Sequence, residues 1–231
     1  MPLIEARGVS HRYAARTVLR DVDVRLDERR VGVVGANGSG KSTFVRMLNG
    51  LVLPSEGAVT VDGLDTRTRG RDVRRRVGFC FTDPDAQIVM PTVAEDVAFS
   101  LRRRGLSKPQ VRERVAQTLA TYGLDEHAEH PAHLLSGGQK QLLALASVLV
   151  TEPDLLVMDE PTTLLDLRNA QRVSRVVAGL PQQVLLVTHH LELLDGFDRV
   201  LVFDEGRLVY DDGPDAAVGF YRRLMAQGPV P

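Results

Sequence analysis

The stretch Gly35-Ala36-Asn37-Gly38-Ser39-Gly40-Lys41-Ser42 has the spacing Gly-x-x-x-x-Gly-Lys-Ser of a phosphate-binding loop. The apolar residues 31–34 precede it, and a helix-compatible segment that begins with Thr43 follows it. A loop that wraps a polyphosphate must point several backbone N–H groups inward, and glycine tolerates such a path at close approach. The stretch therefore predicts a nucleoside triphosphate site formed by residues 35–43.

The polar side chains of this loop have distinct expected roles. Lys41 supplies a positive charge for the β- and γ-phosphates, and Ser42 offers its hydroxyl to Mg²⁺. The helix expected to start near Lys41 presents unpaired N–H groups to the anion. A glycine-rich turn that only connects a strand to a helix is the alternative, but the apolar strand at 31–34 is the context that the phosphate-binding motif requires.

Two adjacent carboxylates, Asp159 and Glu160, follow the apolar residues 155–158. The carboxyl ends of parallel strands line the ligand crevice of an α/β sheet, so both acids are expected beside the phosphates. Asp159 is placed to hold Mg²⁺, and Glu160 to polarise the attacking water as a base. Helix capping by Asp159 is the alternative, but it does not explain the second acid. His189 follows another apolar run and could reach the γ-phosphate.

The pattern of apolar residues predicts an α/β fold in a single domain over residues 1–231. Residues 1–30 and 57–63 alternate apolar and polar positions, which indicates a small antiparallel β subdomain. Helical periodicity between residues 92 and 123 indicates a helical subdomain, inserted over about residues 85–150. A short, frayed tail is expected after Gly213. Other apolar runs are typical of buried strands and indicate a mainly parallel sheet; these are residues 31–34, 77–81, 155–158, 184–187 and 200–203.

Composition limits the class of protein. The 231 residues are 43% hydrophobic and 26% charged, as in globular domains. The longest apolar run, 142–150, is much shorter than the roughly 20 residues of a membrane-spanning helix. Residues 1–5 lack the features of a leader, so a cytosolic location is expected. The net charge of −1 gives no bulk attraction to nucleic acid, so no such partner is expected. Cys80 is expected to be a small buried hydrophobe.

A second anion-ready helix start is expected at residues 135–139, Leu-Ser-Gly-Gly-Gln, which precede a helix-like segment. One nucleotide cannot easily be held by this helix start and by the phosphate-binding loop together. The loop, this signature, the strand ending in Asp159-Glu160 and the later His189 resemble the ATP-binding cassette (ABC) family in content and order. The resemblance covers nearly the whole chain. The signature residues are Ser136, Gly137, Gly138 and Gln139.

The resemblance implies an ATPase that works as a head-to-tail dimer. The phosphate-binding loop of one cassette faces the signature of the other, so ATP holds the dimer together and hydrolysis releases it. The partner is expected to be a second ABC ATPase subunit; an identical chain is favoured, and a different cassette chain is the alternative. The resemblance also implies that Tyr13 stacks on adenine and that Asp166 ends a loop crossing the dimer interface.

Some positions depart from the family pattern. Thr82 stands where a coupling glutamine is usual, and Gln87 follows five residues later. Either Gln87 or a water at Thr82 is expected to complete the metal shell. Leu164 stands where the family favours a small residue, and Leu142 where an arginine often follows the signature. These departures are expected to tune the rate of hydrolysis rather than abolish it.

Residues 83–87 and 91–99 are similar to the corresponding region of energy-coupling-factor transporters, the vitamin and metal-ion uptake systems of prokaryotes. Residues 81–90 and 139–146 are most similar to the ATPase subunit of biotin transporters, with cobalt and nickel systems as the alternative. This resemblance implies a transmembrane coupling protein and a substrate-binding membrane subunit as partners. It also implies a peripheral location on the cytoplasmic face of the cell membrane.

Two other classes of protein were weighed against this interpretation. A cassette ATPase that acts on DNA or the ribosome is expected to have a long coiled coil or tandem cassettes, and the chain has neither. A GTPase needs a guanine-reading Asn-Lys-x-Asp motif, which does not occur. A transporter ATPase is therefore the favoured function.

Overall fold

The computed structural model describes residues 1–102 and 104–226. The chain divides into two compact units. Unit 1 comprises Met1–Val77, Asp154–Glu160 and the chain from Pro181 onward, and unit 2 comprises Gly78–Pro153 and Pro161–Leu180. Within the described ranges, no helix has both the length and the apolar character needed to cross a membrane.

The regular elements have the following bounds. The strands are β1 (Ile4–Tyr13), β2 (Arg16–Leu26), β3 (Arg30–Gly35), β4 (Glu56–Val61), β5 (Leu64–Asp65), β6 (Val77–Cys80), β7 (Leu155–Asp159), β8 (Gln183–Val187), β9 (Arg199–Asp204) and β10 (Arg207–Asp212). The helices are α1 (Lys41–Met47), α2 (Gly70–Arg76), α3 (Val93–Ser100), α4 (Lys108–Tyr122), α5 (Gly137–Leu149), α6 (Leu167–Gly179) and α7 (Pro214–Ala226). Short 3-10 helices lie at Pro84–Ala86, Asp125–His127, Ala132–Leu134 and Leu191–Leu194.

An antiparallel sheet in unit 1 has the strand order β2-β1-β4-β5. Ile4 of β1 pairs with Leu26 of β2 on one side and with Val61 of β4 on the other, and all three side chains are buried. Alternate residues of each strand point to the same face, so this register gathers the apolar side chains on one side of the sheet. This sheet is the predicted antiparallel β subdomain.

A second sheet of unit 1 contains the strands β10-β9-β3-β8-β7 in that order. Strands β9, β3, β8 and β7 are parallel, and β10 is antiparallel to β9. Every residue of β3, β7 and β8 is buried, which explains why their sequences are continuous apolar runs. The prediction of an α/β fold with a mainly parallel sheet is confirmed. Because β3, β7 and β8 are parallel neighbours, residues 35–43, 159–160 and 188–189 follow strands that end at the same edge.

The segment after Gly213 corrects the expectation of a frayed tail. Residues from Pro214 form α7, and proline suits a first helical turn because its missing N–H needs no partner there. Ala217 of α7 is buried with Val34 and Val200, and the ring of Phe220 stacks on Tyr210 with centroids 4.4 Å apart. Residues 228–231, which the expectation also included, lie outside the described residues.

Unit 2 contains the helices predicted between residues 92 and 123. Thr92 forms a capping box at the start of α3, and Gly123, with φ of 64°, closes α4. The helix expected after the signature begins within it, at Gly137. Cys80 is buried as expected, and burial raises the pKa of its thiol to about 12. Gln141 donates a hydrogen bond to the sulfur at 3.3 Å.

Candidate nucleotide-binding and catalytic site

The phosphate-binding loop joins β3 to α1 through glycines in left-handed conformations. Gly38 has φ of 81° and Gly40 has φ of 101°. A Cβ atom at Gly40 would lie 2.7 Å from Leu19 Cδ2 and 2.9 Å from the carbonyl oxygen of Val18. Both the backbone conformation and the lack of space therefore require glycine at position 40.

Lys41 is buried and its side chain turns back into the loop. Its Nζ donates hydrogen bonds to the carbonyl oxygens of Gly35 at 2.7 Å and Ala36 at 2.8 Å. Burial lowers the pKa of Lys41, and the negative charges of Glu160 and Asp159 oppose this effect. The arrangement keeps an ammonium group inside the loop, where polyphosphate oxygens can replace the two carbonyls as acceptors.

Asp159, at the end of β7, is held by two residues of α1. Its side chain is 1% exposed. Ser42 Oγ lies 2.8 Å from Asp159 Oδ1, and Arg46 Nη2 lies 3.0 Å from Asp159 Oδ2. Motif spacing and strand order predict Ser42 and Asp159 at this edge of the sheet, but they do not predict Arg46. Its spacing of four residues from Ser42 on a helix was the available signal.

Glu160 follows Asp159 in an unusual backbone conformation, with φ of 52°. Its N–H donates to the carbonyl oxygen of Val187, the last residue of β8, at 3.0 Å. Its Oε2 lies 3.2 Å from Nδ1 of His189, whose side chain is 46% exposed. The two residues predicted to be catalytic are therefore in contact, and the strained backbone at Glu160 is of the kind found at functional sites.

Tyr13 lies at the end of β1, where it pairs with Arg16 of β2. Half of Tyr13 is exposed, and its ring is edge-on to His11 with centroids 4.5 Å apart. An Nη2 atom of Arg16 lies 3.9 Å from the position that a Cβ of Gly38 would occupy. The guanidinium of Arg16 therefore lies near the phosphate-binding loop, and Tyr13 is paired with Arg16 across the hairpin. Arg16 was not identified from the sequence.

The signature starts α5 in unit 2. Ser136 is the N-cap residue, its Oγ accepts from Gln139 N at 3.4 Å, and Gln139 Oε1 accepts from Ser136 N at 2.9 Å. Gly137 faces open space, whereas a Cβ at Gly138 would overlap the side chain of Asn169. This reciprocal capping box keeps the helix start ordered and leaves Gly137 accessible.

Asp166 caps α6 within the same unit. Its Oδ1 accepts from Asn169 N at 2.8 Å, and its Oδ2 accepts from Asn169 Nδ2 at 3.0 Å. Gly138 and Asp166 therefore both contact Asn169, which links the signature to the predicted interface loop. Leu164 in that loop is 64% exposed, although it is a large apolar residue.

The side-chain amide of Gln87 makes two hydrogen bonds within unit 2. Its Oε1 accepts from Phe81 N at 3.1 Å, and its Nε2 donates to the carbonyl oxygen of Ala144 at 3.0 Å. These bonds favour a structural role in the loop that contains Thr82, and metal binding by Gln87 stays a prediction. In the described part of the chain, no group of three or more His, Cys, Asp or Glu residues could by itself hold a metal ion.

Comparison with protein families gives a match over residues 19–163 to the family described as ABC transporter. A provisionally named ABC transporter ATP-binding protein of Deinococcus radiodurans is 55% identical over 96% of this chain and 99% of its own length. The biotin transport ATP-binding protein BioM of Rhizobium etli is 47% identical over 96% and 98% of the two chains. The cobalt import ATP-binding protein CbiO of Syntrophus aciditrophicus is 40% identical over 98% and 84%.

Two solved structures of ATP-binding cassette proteins are also similar to this chain. The protein cbiO1 of Clostridium perfringens, part of the ABC transporter complex cbiONQ, has a TM-score of 0.83 at 28% identity and covers 98% of this chain and 95% of its own. A dimeric ATP-binding cassette in a post-hydrolysis state, bound to ADP and Pi, has a TM-score of 0.80 at 25% identity. The match covers 91% of this chain and 98% of that cassette.

Proposed function

The chain belongs to the ABC transporter family and is an ATP-binding ATPase, and on that premise we propose that it energises an energy-coupling-factor importer. One observation carries the catalytic part of this proposal. Lys41, Ser42, Asp159, Glu160 and His189 lie at the ends of neighbouring parallel strands in unit 1, where Ser42 contacts Asp159 at 2.8 Å and His189 contacts Glu160 at 3.2 Å. A base, an ammonium group and oxygen ligands at one edge suit hydrolysis of a nucleoside triphosphate.

Glu160 is the proposed general base. A carboxylate beside the γ-phosphate accepts a proton from the attacking water and makes that water a better nucleophile. His189, in contact with Glu160 at 3.2 Å, stabilises the charge that develops on the phosphoryl oxygens. Lys41 and the N–H groups at the start of α1 hold the phosphates in place for this attack.

The residues around the loop fit Mg²⁺. Ser42 Oγ and the carboxylate of Asp159 are the hard oxygen ligands that this ion prefers, and Asp159 is buried next to the phosphate-binding loop. Since Mg²⁺ usually retains waters and substrate phosphates as ligands, two protein groups are sufficient. When bound, the ion would neutralise charge on the β- and γ-phosphate oxygens.

A head-to-tail dimer is the proposed working form. Ser136 and Gly138 of one chain act on the ATP held by Lys41 and Ser42 of its partner, with Asp166 at the interface. The exposed side chain of Leu164 and the open space around Gly137 support a second chain at this surface. The dimeric relative bound to ADP and Pi supports a dimeric working form.

The transmembrane coupling protein is proposed to dock on unit 2 near residues 82–99. A groove of about 340 Å³ lies there between α3 and α4. Its lining is mainly apolar and includes Ala94, Ala98, Val111, Val115 and Leu119. An amphipathic helix laid into such a groove buries its apolar face. This docking implies a peripheral location on the cytoplasmic face of the membrane, beside a substrate-binding membrane subunit.

Biotin is the proposed cargo, because the BioM relative is 47% identical over nearly the full length of both chains. Cobalt import is the second candidate, supported by the CbiO relative at 40% identity. The cargo contacts the membrane subunits rather than the cassette, so the choice between them depends on the partners.

Purification of the chain from its native membranes in mild detergent tests this function. Recovery with a transmembrane protein and a biotin-binding membrane subunit supports the full proposal. Recovery with a cobalt-binding subunit instead supports the transporter role and changes the proposed cargo to cobalt. Absence of any membrane partner contradicts the transporter role.

Ala98→Arg, which puts a charge into the groove between α3 and α4, is expected to abolish co-purification of the transmembrane protein. Ala178→Arg on exposed α6 is the matched control and is expected to leave it intact.

A further inference from the structure

A chain of hydrogen bonds leads away from the signature within unit 2. Gln139 Oε1 accepts from the backbone N–H of Ser136 at 2.9 Å. Gln139 Nε2 lies 2.8 Å from Nε2 of His127, and Nδ1 of His127 lies 2.8 Å from Nδ1 of His130. We refer to Ser136, Gln139, His127 and His130 as the histidine relay. All of its contacts are short enough to be hydrogen bonds.

The chemistry of these groups determines where the protons are. A backbone N–H can only donate, so the amide oxygen of Gln139 must face Ser136 and its NH₂ group must face His127. Nε2 of His127 is then an acceptor, and the proton of its neutral ring is on Nδ1. That proton is donated to Nδ1 of His130, which therefore carries its own proton on Nε2. One backbone N–H thus specifies the tautomers of two histidines.

We propose that His127 and His130 are positioning residues that hold the signature in the conformation acting on the ATP of the partner chain. This inference rests on the proposed dimer function. The capping box fixes only one end of the Gln139 side chain, at its amide oxygen. His127 accepts from the other end, so the amide cannot rotate without breaking a bond at 2.8 Å. The backbone N–H of Gln139 also donates to Ser136 Oγ, so Gln139 contacts both the backbone and the hydroxyl of Ser136.

Two substitutions at position 127 separate the two bonds of its ring. Glutamine places an oxygen acceptor near the position of Nε2, so His127→Gln keeps the bond to Gln139. Asparagine places a donor near the position of Nδ1, so His127→Asn keeps the bond to His130 and loses the bond to Gln139. His133→Asn is the matched control, because His133 is exposed and lies three residues from His130.

The expected result in the full chain is a difference between these variants in turnover. His127→Asn lowers the kcat of ATP hydrolysis about three- to tenfold, the usual effect of losing one hydrogen bond, with little change in the KM for ATP. His127→Gln and His133→Asn stay within about twofold of the parent protein. If His127→Asn and His127→Gln lower the kcat equally and also lower thermal stability equally, His127 has a purely structural role and the proposal is overturned.

A dimerisation measurement separates this inference from the function on which it rests. In a Glu160→Gln background, ATP-dependent dimerisation is expected to weaken with His127→Asn and to persist with His127→Gln. If Ser136→Ala has no effect on dimerisation or turnover, the proposed role of the signature fails. If Ser136→Ala is defective and His127→Asn is not, only the positioning role fails.

The tautomers provide a test that does not depend on activity. In long-range ¹H–¹⁵N correlation spectra of the full chain at neutral pH, His127 is expected to carry its proton on Nδ1 and His130 on Nε2. His127→Asn should remove the His127 signals and leave the His130 tautomer unchanged. A His127 ring that is protonated on Nε2 contradicts the histidine relay directly.

Discussion

Arg46 Nη2 lies 3.0 Å from Asp159 Oδ2, so a guanidinium on α1 neutralises the buried carboxylate that we assign to Mg²⁺. The Asp159 side chain is 1% exposed and that of Arg46 is 40% exposed. A buried charge that loses its partner is costly, whereas the exposed partner is easily solvated. The ion pair therefore matters mainly for Asp159, which also accepts a hydrogen bond from Ser42.

Replacement of Arg46 by methionine is expected to destabilise the protein by about 1–3 kcal/mol, since it leaves one oxygen of a buried carboxylate without its charged donor. Arg46→Lys should retain part of this stability, because lysine keeps the charge but not the planar geometry. Urea unfolding of both variants measures the effect. Equal stability of Arg46→Met and the parent protein would contradict a stabilising role.

Glu160→Gln is expected to retain ATP binding and to slow hydrolysis by about 10²–10⁴-fold, because the amide cannot accept a proton from the attacking water. The variant should accumulate as an ATP-bound dimer, detectable by size-exclusion chromatography with ATP. Glu192→Gln is the control, since Glu192 is an exposed acid that contacts His190 rather than His189. Normal hydrolysis by Glu160→Gln would refute the assignment of the base.

Glu160→Gly is expected to have opposite effects on stability and activity. A non-glycine residue with φ of 52° is strained, and glycine relieves the strain at the cost of a more flexible unfolded chain. We expect the free energy of unfolding to rise by about 0.5–1 kcal/mol while hydrolysis is lost. Thermal unfolding and an ATPase assay on the same sample measure both effects. Lower stability would indicate that the contact with His189 outweighs the strain.

The sequence predicted those parts of the site that depend on motif spacing and strand order. Residues 35–43, Asp159, Glu160 and His189 follow apolar strands, and parallel pairing brings the ends of such strands together. Arg46 and Arg16 could not be assigned in the same way, because an arginine on a helix or strand surface has many possible partners. The choice of partner depends on tertiary packing.

Tertiary packing also explains the corrected expectation of a frayed tail and the contacts of Gln87. The frayed-tail expectation gave weight to the terminal Gly and Pro residues, but Ala217 and Phe220 lie on an apolar helix face that the sheet buries. Gln87 was considered as a metal ligand because Thr82 stands where a coupling glutamine is usual, and this assignment stays a prediction. Its bonds to Phe81 and Ala144 depend on how the loop packs on α5, and a motif does not contain this information.

The two glycines of the signature are expected to respond differently to alanine. A Cβ at Gly138 would overlap the amide of Asn169, which is held by Asp166, so Gly138→Ala should lower the melting temperature by several degrees. Gly137→Ala should leave it unchanged, because nothing lies within 4 Å of its Cβ position. Adding Asn169→Ala to Gly138→Ala removes the overlap and should recover part of the loss. Differential scanning fluorimetry of the three variants measures this, and equal melting temperatures for Gly137→Ala and Gly138→Ala would exclude the overlap.

An ion-pair network around Arg199 is expected to make stability depend on pH. Arg199 donates from Nε and Nη2 to Asp211 at 2.5 Å each, and from Nη1 to Glu28 Oε1 at 2.7 Å. Burial raises the pKa of Glu28, but the hydrogen bond and the charge of Arg199, together with hydrogen bonds from the backbone N–H groups of Glu28 and Asp27, outweigh burial and hold the pKa below its ordinary value. A lowered carboxyl pKa contributes stability above the pKa of the unfolded chain, and this contribution is lost as the pH falls through the folded-state value.

Arg199→Met is therefore expected to cost about 1–3 kcal/mol at pH 7 and less at low pH, because the contribution of Glu28 is lost as the pH falls through its lowered folded-state pKa. Arg12→Met is the matched control, because Arg12 and Glu56 form an ion pair with both side chains more than half exposed. Such pairs contribute between about 0 and 1 kcal/mol. Urea unfolding at pH 7 and pH 3 measures all three proteins. A loss of stability for Arg199→Met that is the same at both pH values would show that lost packing of its side chain, rather than its charge, is responsible.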